Sequence, residues 1–146
     1  MPEKNSSRIQ FKIITPEKEV FSQEITQVTM STMDGEITVL PFHESLIGGI
    51  EPGEICIKTS DGELYLLAVS YGFFEIENNS VKVFADTADR AEELNEQTIL
   101  KAKQEAEQAL KEKINSDLIS VEAEIRLKKE LAKLRVLEKY KKTKKR

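Results

Sequence analysis

Few residues in this chain have the type and spacing that covalent or metal chemistry needs. His43 is the only histidine and Cys56 the only cysteine among 146 residues. No second His or Cys and no Ser-rich elbow stands near His43, so neither a metal ligand set nor a nucleophile–base pair assembles around it. Cys56 alternates with Ile55 and Ile57, the pattern of a strand in which a free thiol acts as a small hydrophobe, so a quiet core thiol is expected. A lone cysteine forms no internal disulfide, and a reducing cytoplasm is the simplest setting. No Gly-rich phosphate loop of the P-loop or dinucleotide type occurs. The many carboxylates fall in turns and on solvent faces, with no spacing that singles out an acid–base pair. No catalytic residue, metal site or cofactor is therefore expected, and a hydrolase has no coherent site to rest on.

Two segments carry contact potential instead. Residues 34–53, DGEITVLPFHESLIGGIEPG, concentrate Gly, Pro, His and an apolar LIGGI stretch between strands. Such a segment is either a contact loop or a plain β crossover with apolar residues under the sheet, and spacing alone leaves both open. The second segment is the terminus, where residues 126–146 hold 11 basic and 2 acidic side chains, a net +9. Three readings fit it: cations complementing a helix C-terminal dipole, a nucleic-acid footprint, or docking of Arg126, Lys128, Lys129, Lys133 and Arg135 on an acidic protein surface. Tyr140 is the one aromatic there, which is thin support for base stacking.

The elements that must position these residues divide into two regions. The formal charge of -4 averages over residues 1–86, with 6 basic and 14 acidic side chains, and 87–146, with 16 and 12. All six glycines and all four prolines lie in the first 72 residues, so no helix breaker follows Gly72. Up to Ala85 the apolar period is two: Ile9, Phe11 and Ile13; Val28 and Met30; Ile55 and Ile57; Leu64, Leu66 and Ala68; Phe74 and Ile76; Val81 and Val83. Turn signals separate these runs, among them Asp34-Gly35, Asp61-Gly62 and Asn78-Asn79. An all-β sandwich or barrel is predicted, able to bury about 60% of its unfolded surface without metal or disulfides.

From about Ala88 the period becomes helical. Ala91, Leu94, Thr98, Ala102, Ala106 and Ala109 form a thin stripe of small residues. Asn115-Ser116-Asp117 reads as a break with a cap for a second helix, which carries Val121, Ile125, Leu127, Leu131, Leu134 and Leu137. An antiparallel hairpin of two helices of ~24 residues, about 36 Å long, is expected, with KYKKTKKR fraying at its end. Helices of that length cannot bury all their apolar surface on each other, so an external docking site is implied. The polar opening MPEKNSSR lacks a signal-peptide core, and no apolar run approaches the ~18 residues of a membrane span.

The order IITPEKEVFS (13–22), DGEITVLPFHESL (34–46), EPG (51–53), LLAVSYGFFEI (66–76), VKVFADTADRAEEL (81–94) and LAKLRVLEK (131–139) resembles the epsilon subunit of bacterial F-type ATP synthases, collinearly over residues 9–139. The resemblance implies an all-β sandwich of about ten strands in residues 1–86, binding the gamma subunit and the ring of c subunits, and a two-helix regulatory domain in 87–146. It implies a non-catalytic central-stalk (rotor) subunit that couples proton flow to ATP synthesis. Its helices would fold down on the sandwich or extend along gamma to the alpha and beta subunits of the catalytic head, slowing ATP hydrolysis. Membrane association would come only through the complex, on the cytoplasmic side of the inner membrane, and no nucleic acid would be bound.

Carried over residue by residue, Glu36 takes the position facing the c-ring loops, and His43 one near the gamma and c-ring contact. Arg126, Lys128, Lys129, Lys133 and Arg135 fall where family members meet an acidic segment of the beta subunit. Two departures stand out. LPFHESL replaces the LPGHAPL of many members, with Phe42, Glu44 and Ser45 in place of Gly, Ala and Pro. The nucleotide pattern some bacterial members carry is degenerate at Leu94, Asn95, Thr98 and Ile99: the Asp has become Asn95, the Arg Thr98 and the Ala Ile99. Loss of the guanidinium removes a charge-assisted contact of ~1.5–3 kcal/mol, so no nucleotide site is expected. A β-domain adaptor whose basic arm binds nucleic acid is the alternative.

Overall fold

A computed structural model describes residues 7–112 and 117–144. Nine strands come first: β1 (Ile9–Ile14), β2 (Glu19–Ile25), β3 (Gln27–Thr32), β4 (Gly35–Val39), β5 (Leu46–Lys58), β6 (Leu64–Val69), β7 (Gly72–Glu77), β8 (Ser80–Ala85) and β9 (Ala88–Arg90). A 3-10 turn (Ala91–Glu93) leads to helices α1 (Glu96–Lys111) and α2 (Asp117–Lys144).

The 13-residue β5 serves as two strands. Its first half, Leu46 to Ile50, pairs with β7, and its second half, Gly53 to Lys58, pairs with β6. Glu51-Pro52 lies between the halves, and β3 pairs with both. The result is two five-stranded layers, β2-β1-β8-β7-β5 and β4-β3-β5-β6-β9, so the expected ten strands are met by nine runs. All pairings are antiparallel except that of β1 with β8.

Most of the period-two residues meet between the layers, whereas Leu66 and Ala68 face the arm and Leu64 is exposed. Ile9, Phe11, Ile13, Val28, Met30, Ile55, Ile57, Phe74, Ile76, Val81 and Val83 share one core, each side chain contributing about 1.5–3 kcal/mol. Phe21 packs edge-to-face on Phe11 and Tyr65, with centroids 5.9 and 5.5 Å apart. β6 is buried on both faces, Leu67 and Val69 toward this core and Leu66 and Ala68 toward the arm. That explains its unbroken apolar run.

The helical region begins later than its sequence period predicts. Ala88 to Arg90 is a strand on the edge of β6, with Leu67 opposite Arg90 and Val69 opposite Ala88. An unpaired sheet edge offers backbone bonds that outweigh helix propensity over three residues. Arg90 fixes the strand further: Nη2 donates to the Val20 carbonyl at 2.9 Å, and the guanidinium lies 5.4 Å from the Phe21 ring centroid. Arg90 thus ties the edge strand of one layer, β9, to that of the other, β2. The sheet accordingly extends past residue 86, with β9 ending at Arg90.

The helices are unequal, 16 and 28 residues, or ~24 and ~42 Å. Of the expected break, Asn115 and Ser116 lie outside the described residues, and α2 starts at Asp117. The terminus expected to fray is helical through Lys144, and Lys145 and Arg146 lie outside the description. Ion pairs Arg126–Glu105 (3.7 Å) and Lys141–Glu96 (2.5 Å) lock the hairpin antiparallel, and buried Ala106 and Ala123 let the helices approach closely.

The hairpin lies on the outer face of β5 and β6. Val136 of α2 meets Leu66, Ala68 and Ala91, with Cys56, Leu94 and Tyr140 packed around them. The docking row is therefore Ala132, Val136 and Tyr140, while Val121 and Leu131 of the predicted apolar set face solvent.

Candidate functional site

The loop after β4 is built on a strained turn. The His43 N–H donates to the Leu40 carbonyl at 3.2 Å, and Phe42 has φ 65°. Pro at the second position and positive φ at the third define a type II turn, which ordinarily places Gly where Phe42 stands. The Phe42 N–H donates to Asn79 Oδ1 at 2.9 Å, and Asn79 Nδ2 donates to the Arg8 carbonyl at 2.7 Å. Asn78 and Asn79 both have positive φ, the tight hairpin between β7 and β8, so that hairpin pins the loop. The consequence is an outward aromatic: Phe42 is 67% exposed, beside exposed Leu40 and Leu46.

His43 is half-buried in this turn, its Nδ1 2.7 Å from the Glu44 carbonyl. Glu36 is exposed on β4 opposite Ser31 and lines a 290 Å³ cavity with Glu54, Arg135, Glu138, Lys139 and Lys142. The structure thus sets the two residues apart: Glu36 adjoins the last turns of α2, and His43 sits in the turn beyond Val39. Among the described residues, no hydrogen bond or ion pair joins them.

The five basic residues of α2 form two rows. Arg126, Lys129 and Lys133 recur at three and four residues and line a 440 Å³ cavity with Lys18, Asp86, Asp89 and Glu93. Lys129 pairs with Asp86 at 3.6 Å, and Lys133 with Glu130 at 3.3 Å. Lys128 and Arg135 line a separate 480 Å³ cleft with Pro52, Leu131 and Leu134.

Lys139 and Glu54, which no sequence motif singles out, form an ion pair that joins α2 to β5. Glu54 alternates with Ile55 and so reads as a solvent-facing strand residue, a face that the arm covers. Cys56 lies on that same face rather than in the sandwich core, packed against the arm contact. Burial, and then the charges of Glu54 and Glu36, push its thiol pKa up against the opposing pull of Lys139. Lys139 is itself raised by its hydrogen bond to Glu54.

At the degenerate nucleotide pattern, Asn95 is the N-cap of α1, its Oδ1 accepting from the Thr98 N–H at 3.1 Å. Thr98 is exposed and Ile99 buried. Among the described residues no cluster of His, Cys, Asp and Glu is arranged to hold a metal ion. No described helix is long and apolar enough to cross a membrane.

A family model described as "ATP synthase, Delta/Epsilon chain, beta-sandwich domain" matches residues 8–91, which take in all nine strands. An ATP synthase epsilon chain of Dehalococcoides mccartyi is 35% identical over 136 residues, covering 93% of this chain and 96% of that one. Those of Desulforamulus reducens and Psychrobacter arcticus are 39% identical over 126 residues and 37% over 134, covering 86% and 91% of this chain and 94% and 96% of theirs. The chain belongs to the ATP synthase epsilon-chain family.

Solved structures agree in fold. A chain of the Euglena gracilis mitochondrial ATP synthase (OSCP/F1/c-ring) superposes with TM-score 0.76 at 20% identity, covering 86% of this chain and 79% of that one. A chain of the Tetrahymena thermophila central stalk and c ring gives 0.60 at 12% identity, covering 88% and 96%. Within this epsilon chain, two motifs have clear structural causes. In SYGFFEI, a Cβ on Gly72 would stand 1.9 Å from the Phe84 carbonyl oxygen, so only Gly fits. In ADRAEEL, Arg90 clasps β2 and Ala91 lies under the arm.

Proposed function

We propose that this chain is a non-catalytic central-stalk subunit of an F-type ATP synthase that couples proton flow to ATP synthesis and restrains ATP hydrolysis through its helical arm. The observation that carries the reading is an epsilon-family sandwich with a two-helix arm docked on one outer face through a small apolar cluster and ion pairs. Such a contact is weak enough to break, and an arm with a second docking place is a bistable element. The sandwich binds gamma and the c ring, through the Leu40–His43 turn and Glu36. The arm meets the alpha and beta subunits through Arg126, Lys128, Lys129, Lys133 and Arg135 when it extends. The chain associates with the cytoplasmic side of the inner membrane through the complex alone.

A nucleic-acid role has less support, because Arg126, Lys129, Lys139 and Lys141 are paired with carboxylates rather than arrayed for phosphates. Reconstitution tests the assignment: the full chain co-purifies with gamma and a c ring. Failure to retain either would refute it.

A further inference from the structure

The apolar seam between arm and sandwich has few fully buried members, Leu66, Ala68, Ala91 and Val136, with Cys56, Leu94 and Tyr140 partly buried around them. Alanines bury little area, so charge has leverage over the contact. Two ion pairs cross the seam, ~15 Å apart along α2: Lys129 Nζ to Asp86 Oδ2 at 3.6 Å, and Lys139 Nζ to Glu54 Oε1. The second is unusual. Glu54 is 19% exposed at its side chain, and its Oε2 is buried with no hydrogen-bond partner. Burying a carboxylate oxygen without a protein partner is costly, a cost relieved when the arm lifts. Glu36 adds negative potential at the same end, lining the cavity that holds Glu54 and Lys139.

We propose that these two ion pairs are an electrostatic latch that sets how firmly the arm stays on the sandwich, with Glu54 as its deliberately frustrated half. The inference rests on the reading above that the arm has a second place to dock. Lys139 holds one oxygen of Glu54 while the other favours release, so docking is held and opposed at a single carboxylate. Lys129 cannot serve Asp86 and a carboxylate of a neighbouring subunit at once. Lifting the arm therefore exchanges one ion pair for another, which keeps the two states close in free energy. A cationic group of a partner placed against Glu36 would weaken the hold on Lys139.

The isolated full-length chain tests this without any other subunit, so the outcome is separate from that of the assembly experiment. Cys56 lies beneath the arm, and its alkylation by iodoacetamide reports lifting. Measured across pH, the plateau rate gives accessibility and the midpoint gives thiol pKa, which separates release from local charge effects. Lys139→Glu and Glu54→Lys should each raise the plateau about three- to tenfold. Their combination should return it to within twofold of the parent. Lys129→Glu, Asp86→Lys and their combination should behave likewise; Lys129 and Asp86 pair at the other end of the seam, and Asp86 is largely exposed, so folding is spared. Plateau rates unchanged by single reversals, or combinations that fail to restore protection, would overturn the latch. A parent thiol already as reactive as an unprotected one would overturn it too.

Discussion

Phe42 shows how a single residue separates stability from contact. Its left-handed backbone costs about 1–2 kcal/mol for an L residue with a Cβ, and its ring recovers little by burial because it is 67% exposed. Phe42→Gly should therefore stabilise the isolated chain by about 0.5–1 kcal/mol, read as a higher thermal midpoint, after the added freedom of the unfolded chain is allowed for. Gly72→Ala should do the opposite, by about 3 kcal/mol, because the obstacle is the Phe84 backbone rather than a movable side chain. Cys56 gives a pH signature. Burial, then the charges of Glu54 and Glu36, raise its thiol pKa against the pull of Lys139, so the neutral thiol is the form the folded chain prefers. That preference is fully present below an ordinary thiol pKa of about 8.5 and is lost as pH rises through the raised folded value. Alkylation of Cys56 should titrate with a midpoint above that of an unstructured thiol. The alternation at residues 54–57 correctly places Ile55 and Ile57 inside. It cannot show that the opposite face, with Glu54 and Cys56, is roofed by a helix 80 residues away in sequence.

At the scale of elements, strands are legible where buried residues alternate strictly, as in β1, but not in β2 and β4, whose burial is irregular, and β6 hides which of its faces meets the core because both are covered. The start of the arm was misplaced because Ala88 to Arg90 satisfies a helical period while a free sheet edge claims its backbone. The two rows on α2 were hidden for a similar reason, since a list of cations along a helix does not reveal which flank meets the sheet. The cap of α1 has a definite cost: Asn95→Ala should lower stability by about 1 kcal/mol, seen in the thermal melt of the helical signal, whereas Asn95→Asp should be nearly neutral. With Asn95 engaged as a cap and no guanidinium at position 98, ATP should bind weakly or not at all. Calorimetric titration of the isolated chain giving a micromolar dissociation constant would contradict this.

For the whole molecule, the net charge of -4 conceals an acidic sandwich and a basic arm that the fold brings into register, Lys129 on Asp86 and Lys139 on Glu54. The charges sorted along the sequence are thus complementary across the seam between sandwich and arm. Since β9 and the 3-10 turn precede Leu94, a chain ending there removes both helices and leaves all nine strands. The most direct test is the ATP hydrolysis rate of the assembled complex carrying that shortened chain, compared with the full chain. Faster hydrolysis is expected, with ATP synthesis still coupled to proton flow. An unchanged hydrolysis rate would contradict it.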